Sequence, residues 1–248
     1  MAIRNLKIAL VEMASAKGKI EENFIKTISY IKQAKGKSSD LIIFPETSLT
    51  GYFTEEKYSN SCVEIRSKFV QDIVKASHGV TIVFGIAELE NDKRYITQVI
   101  ARDGQILGIY RKHNIKGKEK NLFSKGKDLP CFQIKNLSFG ITICADIDLP
   151  ELYKAYKEKG CDVVFECASP DLYGPREDRN WEKGYLWWKN NCIEKIGKYA
   201  KDNKLYIAVT TQSGRNGDDD FPGGGYLFSP EGKIIKETKK HLDDILFL

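Results

Sequence analysis

Short apolar runs recur along this chain, and amphipathic stretches separate them. Asp40–Phe44 reads DLIIF and Val80–Glu88 reads VTIVFGIAE. A run without polar alternation belongs to a strand covered on both faces. Ile20–Ala34 places apolar side chains at 24, 25, 28, 31 and 34, a helical rhythm, and Ser67–Ala76 follows the same pattern. Strands buried on both sides need helices to bury them, so the alternation predicts an α/β fold with mixed sheets.

The remaining segments fit that frame. Leu6–Val11 is a first strand. Tyr95–Ala101 and Ile106–Tyr110 flank Arg102-Asp103-Gly104-Gln105, a hairpin turn. Phe132–Ile134 and Leu137–Cys144 pair around Lys135-Asn136. Glu151–Lys159 is a helix, Val163–Phe165 a strand, Trp181–Asn203 a long helix and Leu205–Thr211 a strand. Tyr226–Ser229 and Lys233–Glu237 bracket Pro230-Glu231-Gly232, a further hairpin, and Leu242–Leu248 closes the chain. Residues 170–180 and 213–225 read as irregular loops around a site. With no Pro- or Ser-rich linker and no repeat, residues 1–248 are expected to form one domain.

Composition excludes several functions. The net charge of +5 comes from scattered lysines, with no clustered basic face or recognition motif for nucleic acid. No stretch approaches the roughly 20 apolar residues that span a bilayer. The N-terminal segment lacks a secretory apolar core and cleavage site, so a cytoplasmic, reducing compartment is expected. The six cysteines, at 62, 131, 144, 161, 167 and 192, include no CxxC pair and are expected to be free thiols. GxSxG, HExxH, GxGxxG and GxxxxGK[ST] motifs are absent. His78, His113 and His241 are expected to be surface or structural residues.

Three strand ends stand out instead. Glu46 follows Asp40–Phe44, where burial raises a carboxyl toward a usable base. Lys112 follows Ile106–Tyr110 and could stabilise an oxyanion. Cys144 ends the strand Phe139–Ile143 before a helix starting near Pro150-Glu151, an elbow whose backbone N–H groups favour a thiolate. Each has a structural alternative: a cap for the segment from Thr47, a surface cation, a buried structural cysteine. Together they form base, oxyanion stabiliser and nucleophile.

In this order the segments resemble the nitrilase, or carbon–nitrogen hydrolase, superfamily. Asp40–Glu46 with Leu49-Thr50-Gly51-Tyr52 is similar to the family's glutamate segment, Tyr110–His113 to its lysine segment, and Gly140–Asp146 with Pro150-Glu151 to its cysteine segment. Glu119, followed by Phe123, Gly126 and Asp128, is similar to the stretch carrying a second glutamate, and Pro230-Glu231-Gly232 resembles the C-terminal hairpin. The resemblance implies a four-layer αββα sandwich, a Glu46–Lys112–Cys144 triad, no metal or organic cofactor, and a homodimer or larger homo-oligomer. It also implies hydrolysis of a small amide or N-carbamoyl compound through a Cys144 thioester, with Lys112 and the Ala145 N–H holding the oxyanion and Glu119 positioning substrate or tuning its neighbours. The alternative is a family-fold binding or assembly protein with an idle site.

Some positions depart from the family. Ala145 stands where an aromatic is common, and Asp148 where Arg is common. Trp187–Cys192 and Thr210–Gln212 replace familiar motifs, and Gly225 falls where Ser is usual. Tyr52, Tyr173, Trp181 and Trp188 are pocket candidates. Cys167 ends the strand bordering the pocket in the family. Arg176 and Arg179 lie in the loop facing the substrate's distal end, where an inward guanidinium would select a carboxylate. An acyltransferase or the amidase half of a synthetase lacks support, since the chain carries neither a membrane segment nor a nucleotide-binding motif.

Overall fold

The computed structural model describes residues 6–172, 175–238 and 244–248. One six-stranded sheet runs β14 (Asp244–Phe247), β1 (Ile8–Glu12), β2 (Leu41–Ile43), β3 (Thr81–Glu90), β4 (Lys93–Arg102) and β5 (Gln105–Arg111). A second runs β13 (Ile234–Glu237), β12 (Tyr226–Phe228), β9 (Tyr206–Thr211), β8 (Val163–Ala168), β7 (Leu137–Ile143) and β6 (Phe132–Ile134). The centres are parallel, β1 with β2 and β3, and β7 with β8 and β9. The flanking pairs are antiparallel.

Strand periodicity sorts the apolar residues into three cores. In β1, Ile8 and Leu10 enter the layer between the sheets, where Phe139, Ile141 and Phe165 meet them. Ala9 and Val11 point the other way, into a core with Ile31 and Ala34 of α1 (Ile20–Gly36) and Val70 and Ile73 of α2 (Lys68–Ala76). On the far side, Val164 and Ala168 of β8 pack with Tyr153 and Tyr156 of α3 (Pro150–Glu158), Trp188 of α4 (Trp181–Cys192) and Ala200 of α5 (Lys198–Asn203). The order helix, sheet, sheet, helix is the αββα sandwich that the resemblance implies.

Two expectations need correction. Residues 213–222 are not irregular: β10 (Ser213–Asn216) and β11 (Asp219–Pro222) form a hairpin across Gly217-Asp218, with Gly217 at φ +63°. The helix expected over Trp181–Asn203 is interrupted. α4 passes through a π-turn, Ile193–Gly197, before α5. A Cβ on Gly197 would lie 2.9 Å from the Gly232 carbonyl oxygen, so the C-terminal hairpin packs directly on the π-turn backbone.

Close backbone packing also sets the Glu46 turn. A Cβ on Gly85 of β3 would lie 2.2 Å from the Thr47 nitrogen and 2.8 Å from the Pro45 oxygen. Gly85 N–H donates to Ser48 Oγ (3.0 Å), and its carbonyl accepts from Leu49 N–H (2.9 Å). Gly85→Ala should therefore cost about 2 kcal/mol or more in urea unfolding, because backbone cannot swing aside as a side chain can. Gly36→Ala, where a Cβ meets nothing within 4 Å, serves as the clash-free control and should be unchanged or slightly stabilised.

Candidate active site

Glu46, Lys112, Cys144 and Ser169 each follow the last residue or residues of a strand, β2, β5, β7 and β8 respectively. The two sheets are stitched together here. Ser169 Oγ lies 3.1 Å from the Glu46 carbonyl of the other sheet and 3.0 Å from Gln212 Oε1, its one proton shared between these acceptors, and Gln212 Nε2 donates to the Ser15 carbonyl (3.1 Å).

The Lys112 ammonium is 1% exposed and donates to Glu46 Oε1 (2.8 Å) and Glu119 Oε1 (2.6 Å). Burial alone would discharge this lysine; the two carboxylates outweigh it and hold the group charged. Glu119 sits on the turn Gly117–Asn121, where it accepts from Tyr52 OH (2.9 Å) and Lys116 N–H (3.1 Å). Gly126 permits the close pass behind Lys112. Its N–H donates to the Lys112 carbonyl at 2.8 Å, and a Cβ there would lie 2.1 Å from the Arg111 oxygen.

Glu46 is fully buried. Desolvation raises its carboxyl to about 7 against the pull of Lys112, and the Glu119 charge adds to the rise. Its Oε2 has no hydrogen-bond partner among the described residues. The side chain is spent on Lys112 rather than on capping the turn that follows.

Cys144 has φ +48°, a left-handed conformation that a β-substituted residue adopts only when its surroundings impose it. Asp146 imposes it. Buried at the floor of the elbow, this carboxylate accepts from Ile143 N–H (3.0 Å), Tyr110 OH (2.7 Å), His113 N–H (3.1 Å) and Asn114 N–H (2.7 Å). Asn114 Nδ2 in turn donates to the Ala145 carbonyl (2.7 Å). Asp146 thus locks the cysteine turn to the segment after Lys112. The thiolate expected from the elbow meets opposing forces. Burial and the Glu46 and Glu119 charges push the thiol up, and Lys112 and the Ser169 N–H only partly oppose them.

A cleft of about 560 Å³ opens on Cys144, Lys112 and Glu119. Tyr52, Ala145, Ser169 and Trp188 line it, and Lys116, Asp148, Asp171, Lys195 and Asp219 form its charged wall. Trp188 is fixed by donating from Nε1 to Thr211 Oγ1 (2.9 Å). Arg179 Nη1 instead donates to the Asp218 carbonyl (2.7 Å) and Asp220 Oδ2 (3.2 Å), so this guanidinium clamps the β10–β11 hairpin. Cys167 is fully buried in the core between the sheets. Tyr173, His241 and the Arg176 side chain lie outside the described residues. Sequence reasoning did not single out Asp146 or Ser169; their signal was position, two residues after the elbow cysteine and one after β8.

Among the described residues, no group of three or more His, Cys, Asp or Glu is placed to hold a metal, and no helix is long and apolar enough to cross a membrane.

Residues 7–247 match the carbon–nitrogen hydrolase family, and the chain belongs to it. It is similar to the glutamine-dependent NAD(+) synthetase of Acinetobacter baylyi, 25% identical over 99% of this chain and 44% of that protein. The chain therefore spans less than half the length of that relative. It is similar also to the 2-oxoglutaramate amidase of Bacillus subtilis, 29% identical over 93% of this chain and 85% of that protein. A solved amidase from Nesterenkonia sp. shares the fold, with a TM-score of 0.82 at 19% identity, covering 98% of this chain and 89% of that one.

Behind the elbow lies another buried acid. Glu166 of β8 accepts from Tyr153 OH (3.0 Å), and burial raises its carboxyl from 4.5 to about 8. Between those values the folded protein binds a proton that the unfolded chain releases, so stability falls as pH rises through the window. Glu166→Gln removes this titration. Urea unfolding from about pH 5 to about pH 8 should show a shallower loss than wild type, by up to about 1.4 kcal/mol per pH unit.

Proposed function

We propose that residues 1–248 act as one carbon–nitrogen hydrolase domain that cleaves a small amide or N-carbamoyl compound through a Cys144 thioester. The observation that supports this most strongly is the buried Lys112 ammonium shared by Glu46 and Glu119 beside the strained Cys144 elbow. In this reading Cys144 Sγ attacks the carbonyl carbon while ionised Glu46 takes the thiol proton. A thiol pushed up by burial needs such a base at the moment of attack. Lys112 and the Ala145 N–H receive the oxyanion as it forms. Glu46 returns the proton to the leaving nitrogen, ammonia departs, and Glu46 then activates the water that releases the acid. Glu119 holds Lys112 charged and in place. Tyr52 and Ala145 are proposed to contact the substrate.

A second reading concerns the substrate, and the similarity to a glutamine-dependent synthetase favours it: the amide is that of glutamine. The homo-oligomer implied by the family resemblance belongs to the same proposal. Leu186, Trp187 and Ile193 offer an exposed apolar surface on and just after α4 for the contact.

Ammonia release from a panel of short amides, glutamine and other ω-amides, N-carbamoyl compounds and nitriles tests the function. Release by wild type that vanishes in Cys144→Ala, with unchanged circular dichroism, is the expected result. Undiminished release by the variant would exclude the thioester, and silence across the panel would favour a binding or assembly role. The pH dependence follows from Glu46. Because the base acts ionised, kcat/KM should rise with pH through about 7, and Glu46→Gln should abolish this acid limb together with most activity.

A further inference from the structure

Cys131 and Cys161 are both free thiols, and their sulfurs lie 3.0 Å apart. They come from segments thirty residues apart in sequence, and each segment is fixed independently of the sulfurs. Cys161 follows the end of α3, where Gly160 adopts φ +82°. Gly160 N–H donates to the Lys157 carbonyl and Cys161 N–H to the Tyr156 carbonyl, both at 3.0 Å, the two bonds of a Schellman cap. Lys159 Nζ reaches back to the Leu129 carbonyl (2.6 Å), two residues before Cys131. Ser138 N–H donates to Asp162 Oδ2 (3.0 Å), joining the β6–β7 hairpin to the residue after Cys161. The two thiols are therefore held together by backbone and side-chain contacts that owe nothing to sulfur. Cys131 is exposed, whereas Cys161 is buried beneath it. An accessible thiol over a buried one is the arrangement of an attacking and a resolving cysteine.

We propose that Cys131 and Cys161 are a redox-active dithiol that small disulfides such as glutathione disulfide oxidise, closing a covalent loop around the Cys144 elbow. The Cys131 thiolate attacks one sulfur of glutathione disulfide, forming a mixed disulfide and releasing one glutathione. Cys161 gives its proton to solvent and attacks the Cys131 sulfur, releasing the second glutathione. Two thiols become one disulfide, and one glutathione disulfide becomes two glutathiones. The loop closed, residues 131–161, holds β6, β7, the cysteine turn and α3. It removes freedom from the unfolded chain in the region carrying the nucleophile candidate, without touching Cys144.

The test uses the full chain carrying Cys144→Ala, so that the cleft thiol takes no part, and it reads mass rather than activity. After incubation with glutathione disulfide, the intact protein should lose two hydrogens, a Cys131–Cys161 linked peptide should appear on digestion, and Tm should rise by roughly 5–10 °C. Dithiothreitol should reverse all three. Adding Cys161→Ser should trap a single glutathionyl group on Cys131, because nothing remains to resolve it. An unchanged mass, a glutathionyl group that persists on Cys131 while Cys161 is present, or a linked protein with unchanged Tm would each overturn the proposal.

Discussion

The buried charge of Lys112 is the constraint on which the site depends. An ammonium at 1% exposure is tolerable only when its lost hydration is replaced, and a single carboxylate seldom suffices. Two are supplied here from separate parts of the chain, Glu46 after β2 and Glu119 from the turn that follows β5. Each carboxylate must then be satisfied in turn. Tyr52 and the Lys116 N–H do this for Glu119, while Glu46 Oε2 has no hydrogen-bond partner among the described residues. One cation thus fixes three chain segments and leaves one acceptor idle beside a cysteine. Around Cys144, burial and the Glu46 and Glu119 charges push the thiol up more than Lys112 pulls it down. In the proposed mechanism the proton would therefore move only as the sulfur attacks.

Backbone strain is the second support. Thr47 and Cys144 both sit at φ +48°, where a Cβ is disfavoured by about 1 kcal/mol or more. Both lie where a strand must turn sharply at the site. At Cys144 the strain is held by Asp146, whose four hydrogen bonds join the elbow to Tyr110 and to the segment after Lys112. At Thr47 it is held by the close pass of Gly85, with the Ser48 and Leu49 bonds to that residue. Helices on the outer faces and apolar side chains between the sheets make these turns affordable, because the strands they leave are buried on both sides.

Much of this was legible in the sequence. Continuous apolar strands announced an α/β fold with strands covered on both faces, since a residue such as Val11 can be as apolar as Leu10 only then, while the four-layer sandwich was implied by the family resemblance. The candidates Glu46, Lys112 and Cys144 were visible because each lies just beyond an apolar run, whereas Glu119 stood out only through the family resemblance. Asp146 and Ser169 were not, because their roles are defined by contacts across the fold that no local pattern encodes. The β10–β11 hairpin hid behind polar residues, although Gly217-Asp218 between Asn216 and Asp219 is a two-residue turn signal. Arg179 resembled a ligand for substrate in a loop, but Asp220, fully buried on β11, claims it. The sequence shows a guanidinium; which carboxylate wins it is decided by folding.

The contrast between the two sides of the cleft bears on specificity. Glu46, Lys112 and Glu119 are buried and tied together through the shared ammonium, so a substitution at one is expected to perturb all three. The charged wall carries ion pairs of two kinds: Lys116 and Lys195 bind Asp148 where solvent reaches them, and the buried Lys17 ammonium binds Asp219. The Asp148 pairs, being partly exposed, are worth only about 0–1 kcal/mol each, so either cation can be displaced at little cost. Asp148 holds two cations with one charge, which leaves that corner with a positive excess. On the other side the buried Lys17 ammonium is shared by Asp219 and Glu55, and Arg179 Nη1 lies 4.0 Å from Asp171.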